Sequence, residues 1–186
     1  QVTRLMRSML QSVNPMVASG RDTTLLREIL QGSVAKMDAG ELAGQPAVEA
    51  DMRATIADTF NAIGDNATAL RVIEPAIGLA RAAPPETAGQ YQRARISYAS
   101  LLAAWGRTTE ARAEFEAALE IQERGLPEDD ISAMLFTNFA GVVSKFGEFE
   151  RALALNTRAL AIRKRIFGEQ SSNVGASLGN IAGSLQ

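Results

Sequence analysis

The sequence predicts an all-α fold, a right-handed solenoid built from antiparallel helix pairs. Three observations predict it. Small residues recur in one frame through most of the chain, apolar residues follow helical spacing, and aromatic residues make up only 5% of the 186 residues. A core built mainly from Ala, Leu and Ile suits helices that cross closely, because interaxial distances of about 8–10 Å need small side chains at the contact.

The small-residue frame consists of an alanine, a glycine seven residues later, an alanine five residues after that, and a third alanine seven residues further on. It occurs three times, as Ala57, Gly64, Ala69 and Ala76, as Ala99, Gly106, Ala111 and Ala118, and as Ala140, Gly147, Ala152 and Ala159. The glycines are 42 and 41 residues apart, which is typical of a repeat array. Each glycine is expected just past a helix end, in the left-handed conformation.

Bulky residues keep the same frame, and we expect them to form one continuous core. They stand one residue before and three after the first alanine, one before the glycine and one after the last alanine. They are Ile56, Phe60, Ile63 and Ile77, then Tyr98, Leu102, Trp105 and Leu119, then Phe139, Val143, Phe146 and Leu160.

The helices before the array follow from apolar spacing and helix breakers. The first is predicted at 2–13 and ends at Asn14-Pro15. The second is capped by Thr23 or Thr24 and runs to Met37. We expect residues 1–46 to form an N-terminal helical cap on the array.

The array itself is predicted at residues 47–186. Its repeats are expected at about 47–85, 86–128 and 129–171, followed by a lone first helix at 172–186. The helix pairs are predicted at 47–63 and 66–82, at 87–105 and 108–124, and at 130–146 and 149–166, which makes about nine helices in all. Pro46 suits a first turn, and Asp129 or Asp130 suits a helix cap at the third repeat.

The recurring frame resembles the tetratricopeptide repeat (TPR), whose consensus has small residues at the three alanine positions. The long period, with AIRKRIFGEQSSNVGASLGNIA joining one repeat to the next, is similar to the 42-residue repeats of kinesin light chains. The resemblance covers roughly residues 47–186 and implies a TPR-like superhelix that binds proteins. The family's proline near the end of the second helix is missing. Since Arg81, Glu123 and Lys164 stand there, the second helices are expected to run on.

The N-terminal part resembles the region after the kinase domain in bacterial serine/threonine kinases that carry long TPR arrays. The matching segments are Asn14-Pro15, Gly20-Arg21-Asp22, Leu26-Arg27-Glu28 and Gln45-Pro46. This resemblance implies the regulatory or sensor part of a larger signalling protein. Such kinases often have a membrane span before the repeats, which leaves both the cytoplasmic and the extracytoplasmic face of the membrane open. The chain opens mid-helix without an initiator Met, so we expect it to be part of a longer protein.

Composition excludes most catalytic chemistry. The chain has no Cys and no His, so it has no thiol nucleophile, no imidazole base and no ordinary zinc site. The net charge of −2 gives no reason to expect nucleic acid or an anionic membrane as a partner. We therefore predict a non-catalytic protein-interaction module without catalytic residues, metal or cofactor, and without direct membrane contact.

The candidate binding site is the concave groove, which first helices line in such arrays. The frame directs these polar residues into it: Asp58, Asn61, Arg93, Ser97, Ser100, Thr137, Asn138, Ser144 and Lys145. We expect an extended peptide there, with Asn and Ser bonding its backbone and with Arg93 and Lys145 meeting acidic groups. The alternative is ordinary solvated helix surface. A clamp for a C-terminal carboxylate is not expected, because Ala54, Asp58 and Met134 occupy its positions.

Two other functions stay open: a self-assembly scaffold and a receptor for a small signal peptide. Apolar surface expected around Ile181 favours a homodimer through the incomplete fourth repeat. The basic run Arg158, Arg163, Lys164 and Arg165 suits a phosphate or acidic-peptide site, but cations in a last turn also answer the helix dipole, and we favour that interpretation.

Overall fold

The computed structural model describes residues 23–183, which form eight α-helices, one short 3-10 helix and no strand. The elements are α1 (Thr24–Asp38), α2 (Pro46–Ala62), α3 (Asn66–Ala82), the 3-10 helix (Ala88–Tyr91), α4 (Gln92–Ala104), α5 (Thr108–Glu123), α6 (Asp130–Ser144), α7 (Phe149–Phe167) and α8 (Ser172–Gly183). The all-α prediction is confirmed for these residues. The helix predicted at 2–13 lies outside them.

Two details of the helix starts differ from the prediction. The helix expected from residue 87 begins with the 3-10 turn Ala88–Tyr91, and α4 starts only at Gln92. Gly89 lies in that turn, and glycine weakens an α-helix through its backbone freedom. Thr23 is the N-cap of α1, but its side chain makes no capping hydrogen bond and instead accepts one from Arg27 Nε at 3.2 Å.

The second helices follow the predicted lengths closely. α3 runs past Arg81 to Ala82, and α7 runs past Lys164 to Phe167. α5 ends at Glu123 itself, so only two of the three helices run on beyond the position where proline is missing.

The alanines of the small-residue frame are buried, as their spacing predicts. All nine are at most 1% exposed. Helix α2 packs extensively on α3, and α6 on α7. Side chains no larger than a methyl group at these positions allow the backbones to approach each other, so the residues of the frame serve helix packing.

Each frame glycine ends a first helix in the left-handed conformation, with φ between 78° and 81°. In the third repeat, Gly147 N–H donates to Ser144 O at 3.0 Å, and Glu148 N–H donates to Val143 O at 3.1 Å. This pair of bonds is the Schellman motif, which satisfies carbonyl groups that the helix end leaves open. The same pair recurs after α2 and after α4.

The chain divides into two compact units, unit 1 up to Leu101 and unit 2 from Leu102. The fully buried large side chains of unit 1 are Leu30, Ile56, Phe60, Ile73, Ile96 and Leu101. In unit 2, Phe115 and Phe139 stack with ring centroids 5.5 Å apart. The predicted boundary at residue 46 stays a prediction.

The continuous core predicted for the bulky frame positions is wrong at the residue before the glycine. Trp105 is 46% exposed and Phe146 is 42% exposed. Both residues follow the last residue of their helix, where the chain already turns, so their side chains leave the buried helix face. The Arg112 guanidinium lies 4.9 Å from the ring centroid of Phe146 and covers one face of it.

A buried arginine joins helices α1 and α2. Arg53 on α2 is 3% exposed. Its Nε donates to Glu49 Oε1 at 2.8 Å, and its Nη2 donates to Asp38 Oδ1 at 2.7 Å across to the end of α1. Removing the guanidinium would leave the largely buried Glu49 carboxylate without its partner.

Candidate peptide-binding surface

The predicted groove residues all lie on first helices, but they fall into different units. The unit-1 surface consists of Asp58, Asn61, Arg93, Ser97 and Ser100, on α2 and α4. The unit-2 surface consists of Thr137, Asn138, Ser144 and Lys145, on α6 and its C-cap. Helical spacing explains the grouping within each helix, because residues three or four positions apart share a face.

An ion cluster dominates the unit-1 surface. Asp58 Oδ2 accepts hydrogen bonds from Arg93 Nη2 at 3.2 Å and from Ser97 Oγ at 3.1 Å. Arg93 Nε lies 3.7 Å from Asp51 Oδ1. The acidic groups that Arg93 contacts therefore belong to the chain itself. Sequence reasoning missed this pairing, although Asp51 and Asp58 are two turns apart on one face of α2.

Burial raises the pKa of the Asp58 carboxyl above its ordinary value, despite the attraction of Arg93 and the hydrogen bond from Ser97. The Asp58 side chain is nevertheless 39% exposed. The carboxyl group is thus crowded by protein atoms but open to solvent on one side. Its ionised form is less favourable in the folded chain than in the unfolded chain.

The other polar groups of the unit-1 surface are partly used. Ser100 Oγ donates to the backbone oxygen of Ile96 at 2.8 Å, one turn earlier. Asn61 is exposed, and its side chain makes no hydrogen bond within residues 23–183. The other oxygen of Asp58, Oδ1, likewise has no partner there. These two groups, one turn apart on α2, can accept hydrogen bonds from a ligand.

The unit-2 surface surrounds an open glycine. Gly141 is exposed, and a Cβ built on it meets no atom within 4 Å. Asn138, Ser144 and Lys145 lie three or four residues away on the same helix face. Ser144 Oγ donates to Ala140 O at 2.9 Å, whereas Lys145 is exposed and pairs with no carboxylate in the described chain. This face offers an ammonium group beside bare backbone.

Thr137 is the least usable of the predicted residues. Its hydroxyl oxygen is buried and has no hydrogen-bond partner among the residues that the structure describes. The Thr137 hydroxyl can therefore form a hydrogen bond only with a ligand or a water molecule that reaches it.

The basic run near the end of α7 is occupied by the chain's own groups. Arg158 contacts Glu123 at 2.5 Å and Glu128 at 2.7 Å, and its guanidinium lies 4.3 Å from the centroid of the Phe136 ring. Arg165 Nη2 donates to the backbone oxygen of Glu128 at 2.6 Å. These contacts therefore engage the cations more directly than the helix dipole does. A phosphate would have to displace the groups that the cations already contact.

The acidic segment before α6 has a capping role. Asp129 Oδ1 accepts from Ser132 N at 3.1 Å, and Ser132 Oγ accepts from Asp129 N at 3.1 Å, which completes a capping box. The cap predicted there is confirmed.

The described chain offers few features of other kinds of site. Within residues 23–183 no group of three or more acidic residues could hold a metal ion, and no helix combines the length and apolarity needed to cross a membrane. A cavity of about 240 Å³ lies beside α1 and α3, lined by Gln31, Val34, Ala35, Asp38, Phe60, Thr68, Arg71 and Val72. It includes none of the predicted groove residues.

Residues 90–165 match the family model described as tetratricopeptide repeat. The crystal structure of BtubC (BKLC) from P. vanneervenii is similar, with a TM-score of 0.70 and 27% identity over 88% of this chain. The chain covers 66% of BtubC, just under two thirds of its length. No curated protein matches the chain.

Two further structures show the same fold at lower identity. The putative kinesin light chain from Podosopora anserina, with nearly identical TPR-like repeats, has a TM-score of 0.65 and 19% identity over 99% of this chain and 83% of that chain. The apo form of RapI has a TM-score of 0.62 and 17% identity over 85% of this chain and 44% of that chain. These similarities confirm the predicted solenoid of helix pairs.

Proposed function

We propose that the chain binds an extended peptide segment of a partner protein on the polar surfaces of its first helices, because residues 90–165 match the tetratricopeptide-repeat family model. The family match carries the proposal. Repeats of this kind form a non-catalytic scaffold for protein–protein interaction, and the similar structures are repeat proteins of the same fold.

The use of the side chains supports this role. The nine frame alanines and the large core residues are buried between packed helices. The predicted groove positions of the first helices present polar groups to solvent: the Asp58 carboxyl and the Asn61 amide in unit 1, and Lys145 beside the bare backbone of Gly141 in unit 2. An extended peptide needs such groups, because its backbone must be hydrogen-bonded along its length.

The test blocks the unit-2 surface without disturbing the fold. Gly141→Arg projects a long side chain over that surface, and glycine is the weaker helix former, so α6 should tolerate the change. Thr157→Arg is the matched control, because Thr157 is exposed in α7, a second helix. The probe is a phage-displayed library of random peptides selected on the unmodified chain.

Selected peptides are then measured by fluorescence polarisation. Loss of binding in Gly141→Arg together with unchanged binding in Thr157→Arg supports the proposal. A library that yields no binder overturns it, and so does a binder whose affinity is lowered neither by Gly141→Arg nor by a change at the unit-1 surface such as Asp58→Asn. Far-UV circular dichroism of both variants shows that the helices are retained.

At a finer level, we propose that the chain is the regulatory or sensor region of a larger signalling protein, such as a serine/threonine kinase. The segments Leu26-Arg27-Glu28 and Gln45-Pro46 support this assignment by resemblance. It predicts that a selected peptide changes the rate of phosphoryl transfer by the protein that carries the array. An unchanged rate at saturating peptide would remove the kinase assignment and leave the interaction role intact.

A second candidate function is self-assembly through the last helices. Ile166, Phe167 and Leu178 are 41%, 41% and 51% exposed, whereas the predicted centre of the patch, Ile181, is partly buried. Light scattering over a range of concentrations tests this function. A dimer that dissociates in Leu178→Glu favours it, and a monomer at all concentrations excludes it.

A further inference from the structure

We infer that the unit-1 surface takes a basic side chain of the partner peptide, and that Asp58 receives it. This inference rests on the proposed function and names the chemistry of the ligand at one part of that surface. It also reverses the prediction that Arg93 meets acidic groups of the ligand.

The unequal use of the Asp58 carboxyl oxygens is the first argument. Both contacts within the chain, from Arg93 and from Ser97, reach Oδ2. Oδ1 has no partner among the described residues, and 39% of the side chain is exposed. The Asn61 carboxamide stands one turn further along the same face of α2 and is also exposed. A Lys ammonium carries three donors and an Arg guanidinium five, so either can bond Asp58 and Asn61 together.

The charge of the surroundings is the second argument. On this face of α2 and α4, Arg93 contacts both Asp58 and Asp51. Arg93 is only 14% exposed and is held between the two carboxylates at 3.2 and 3.7 Å. An acidic ligand would have to compete with both carboxylates for Arg93. A basic ligand at Oδ1 of Asp58 leaves both contacts of Oδ2 in place.

The cost of keeping Asp58 ionised is the third argument. A carboxylate that served only its pair with Arg93 would be expected to have a lowered pKa, because an opposite charge favours the ionised form. Burial instead raises the pKa of Asp58 in spite of Arg93. The folded chain therefore retains a carboxylate that its own contacts do not fully stabilise. A cation arriving at the open oxygen supplies the missing interaction.

The experiment uses peptides selected from the phage library on the unmodified chain. A Lys or Arg common to the selected sequences is expected. Asp58→Asn should weaken the binding of such a peptide about tenfold, as expected for loss of one charge-assisted contact at a partly exposed site. Replacing the basic residue of the peptide by Gln should weaken binding to the unmodified chain by a similar factor. The two changes together should add little, because they remove the same contact.

The control is Glu74→Gln, which makes the same change of charge at an exposed position of α3 without a described partner. Its binding should match that of the unmodified chain. Asp58→Asn keeps the size of the side chain and leaves Arg93 with Asp51, so its helices should melt at a similar temperature.

The outcomes separate this inference from the function on which it rests. Peptides that share no basic residue, or an affinity that Asp58→Asn leaves unchanged while Gly141→Arg abolishes binding, overturn the inference and keep the proposed function. A library that yields no binder removes both.

Discussion

Two glycines of the third repeat allow one chemical change to act in opposite directions. Gly141 lies inside α6 and is exposed, and Gly147 follows the end of the same helix with φ of 78°. A Cβ at either position meets no atom within 4 Å, so replacement by alanine causes no clash at either. Any difference between the two variants must come from the backbone conformation.

The expected changes in the free energy of unfolding follow from that conformation. Gly141→Ala should raise it by about 0.5–1 kcal/mol, because alanine loses less backbone freedom when the helix forms. Gly147→Ala should lower it by about 1–2 kcal/mol, because an L-residue in the left-handed conformation brings Cβ too close to the following carbonyl oxygen. The separation of about 2 kcal/mol corresponds to roughly 4–8 °C in Tm for a chain of this size.

Thermal and urea unfolding followed by circular dichroism measure the two shifts. Gly64→Ala is a control in unit 1, because Gly64 has φ of 81° and the same pair of closing hydrogen bonds. It should reproduce the loss seen for Gly147→Ala. Shifts of equal sign at Gly141 and Gly147 would refute the reasoning, since the backbone conformation would then not decide the direction of the effect.

The remaining predictions concern two charged side chains of unit 1. Arg53→Ala should lower the free energy of unfolding by about 3 kcal/mol, because it leaves a mostly buried carboxylate without its partner. Arg124→Ala is the control: it breaks an exposed ion pair between α5 and its C-cap and should change the free energy of unfolding by less than about 0.5 kcal/mol. Equal urea midpoints for the two variants would contradict this prediction. Burial alone would raise the pKa of Asp65, but hydrogen bonds from Thr68 and the ion pair with Arg27 lower it. A lowered folded pKa means that the carboxylate stabilises the fold above about pH 4, and that this contribution disappears as the pH falls through the folded pKa. Asp65→Asn should therefore lower Tm at neutral pH and not in acid, and a difference independent of pH would exclude the effect.

The helix ends show how far local rules reach. Three glycines at a fixed interval predicted three left-handed turns, and each turn closes with the same two hydrogen bonds. This worked because a helix end is decided within about six residues, where the conformational preference of glycine acts directly. The bulky residue before the glycine was assigned wrongly in the second and third repeats for a related reason. Trp105 and Phe146 continue the apolar spacing, but the chain has already left the helix there.

The candidate site was predictable in position and not in chemistry. The frame and the helical period place Asp58 and Arg93 on first helices. Their mutual contact joins residues 35 positions apart, and it depends on the distance between α2 and α4 and on the side-chain conformations that fit there. Arg93 was therefore expected to be a free cation, whereas the fold makes it an internal partner and leaves Asp58 with the open oxygen. In the basic run, the ion pairs of Arg158 with Glu123 and Glu128 likewise depend on helix packing.

By itself, the sequence determined the repeat, the helices of residues 23–183 within a few residues and the burial of every frame alanine, because periodic side-chain size and glycine conformation act over short stretches of chain. Only the tertiary structure decided which charged side chains form ion pairs with each other. A salt bridge needs two side chains within about 4 Å, and for residues on different helices that separation is set by packing. The surface that a partner meets is what remains after those internal pairs have formed.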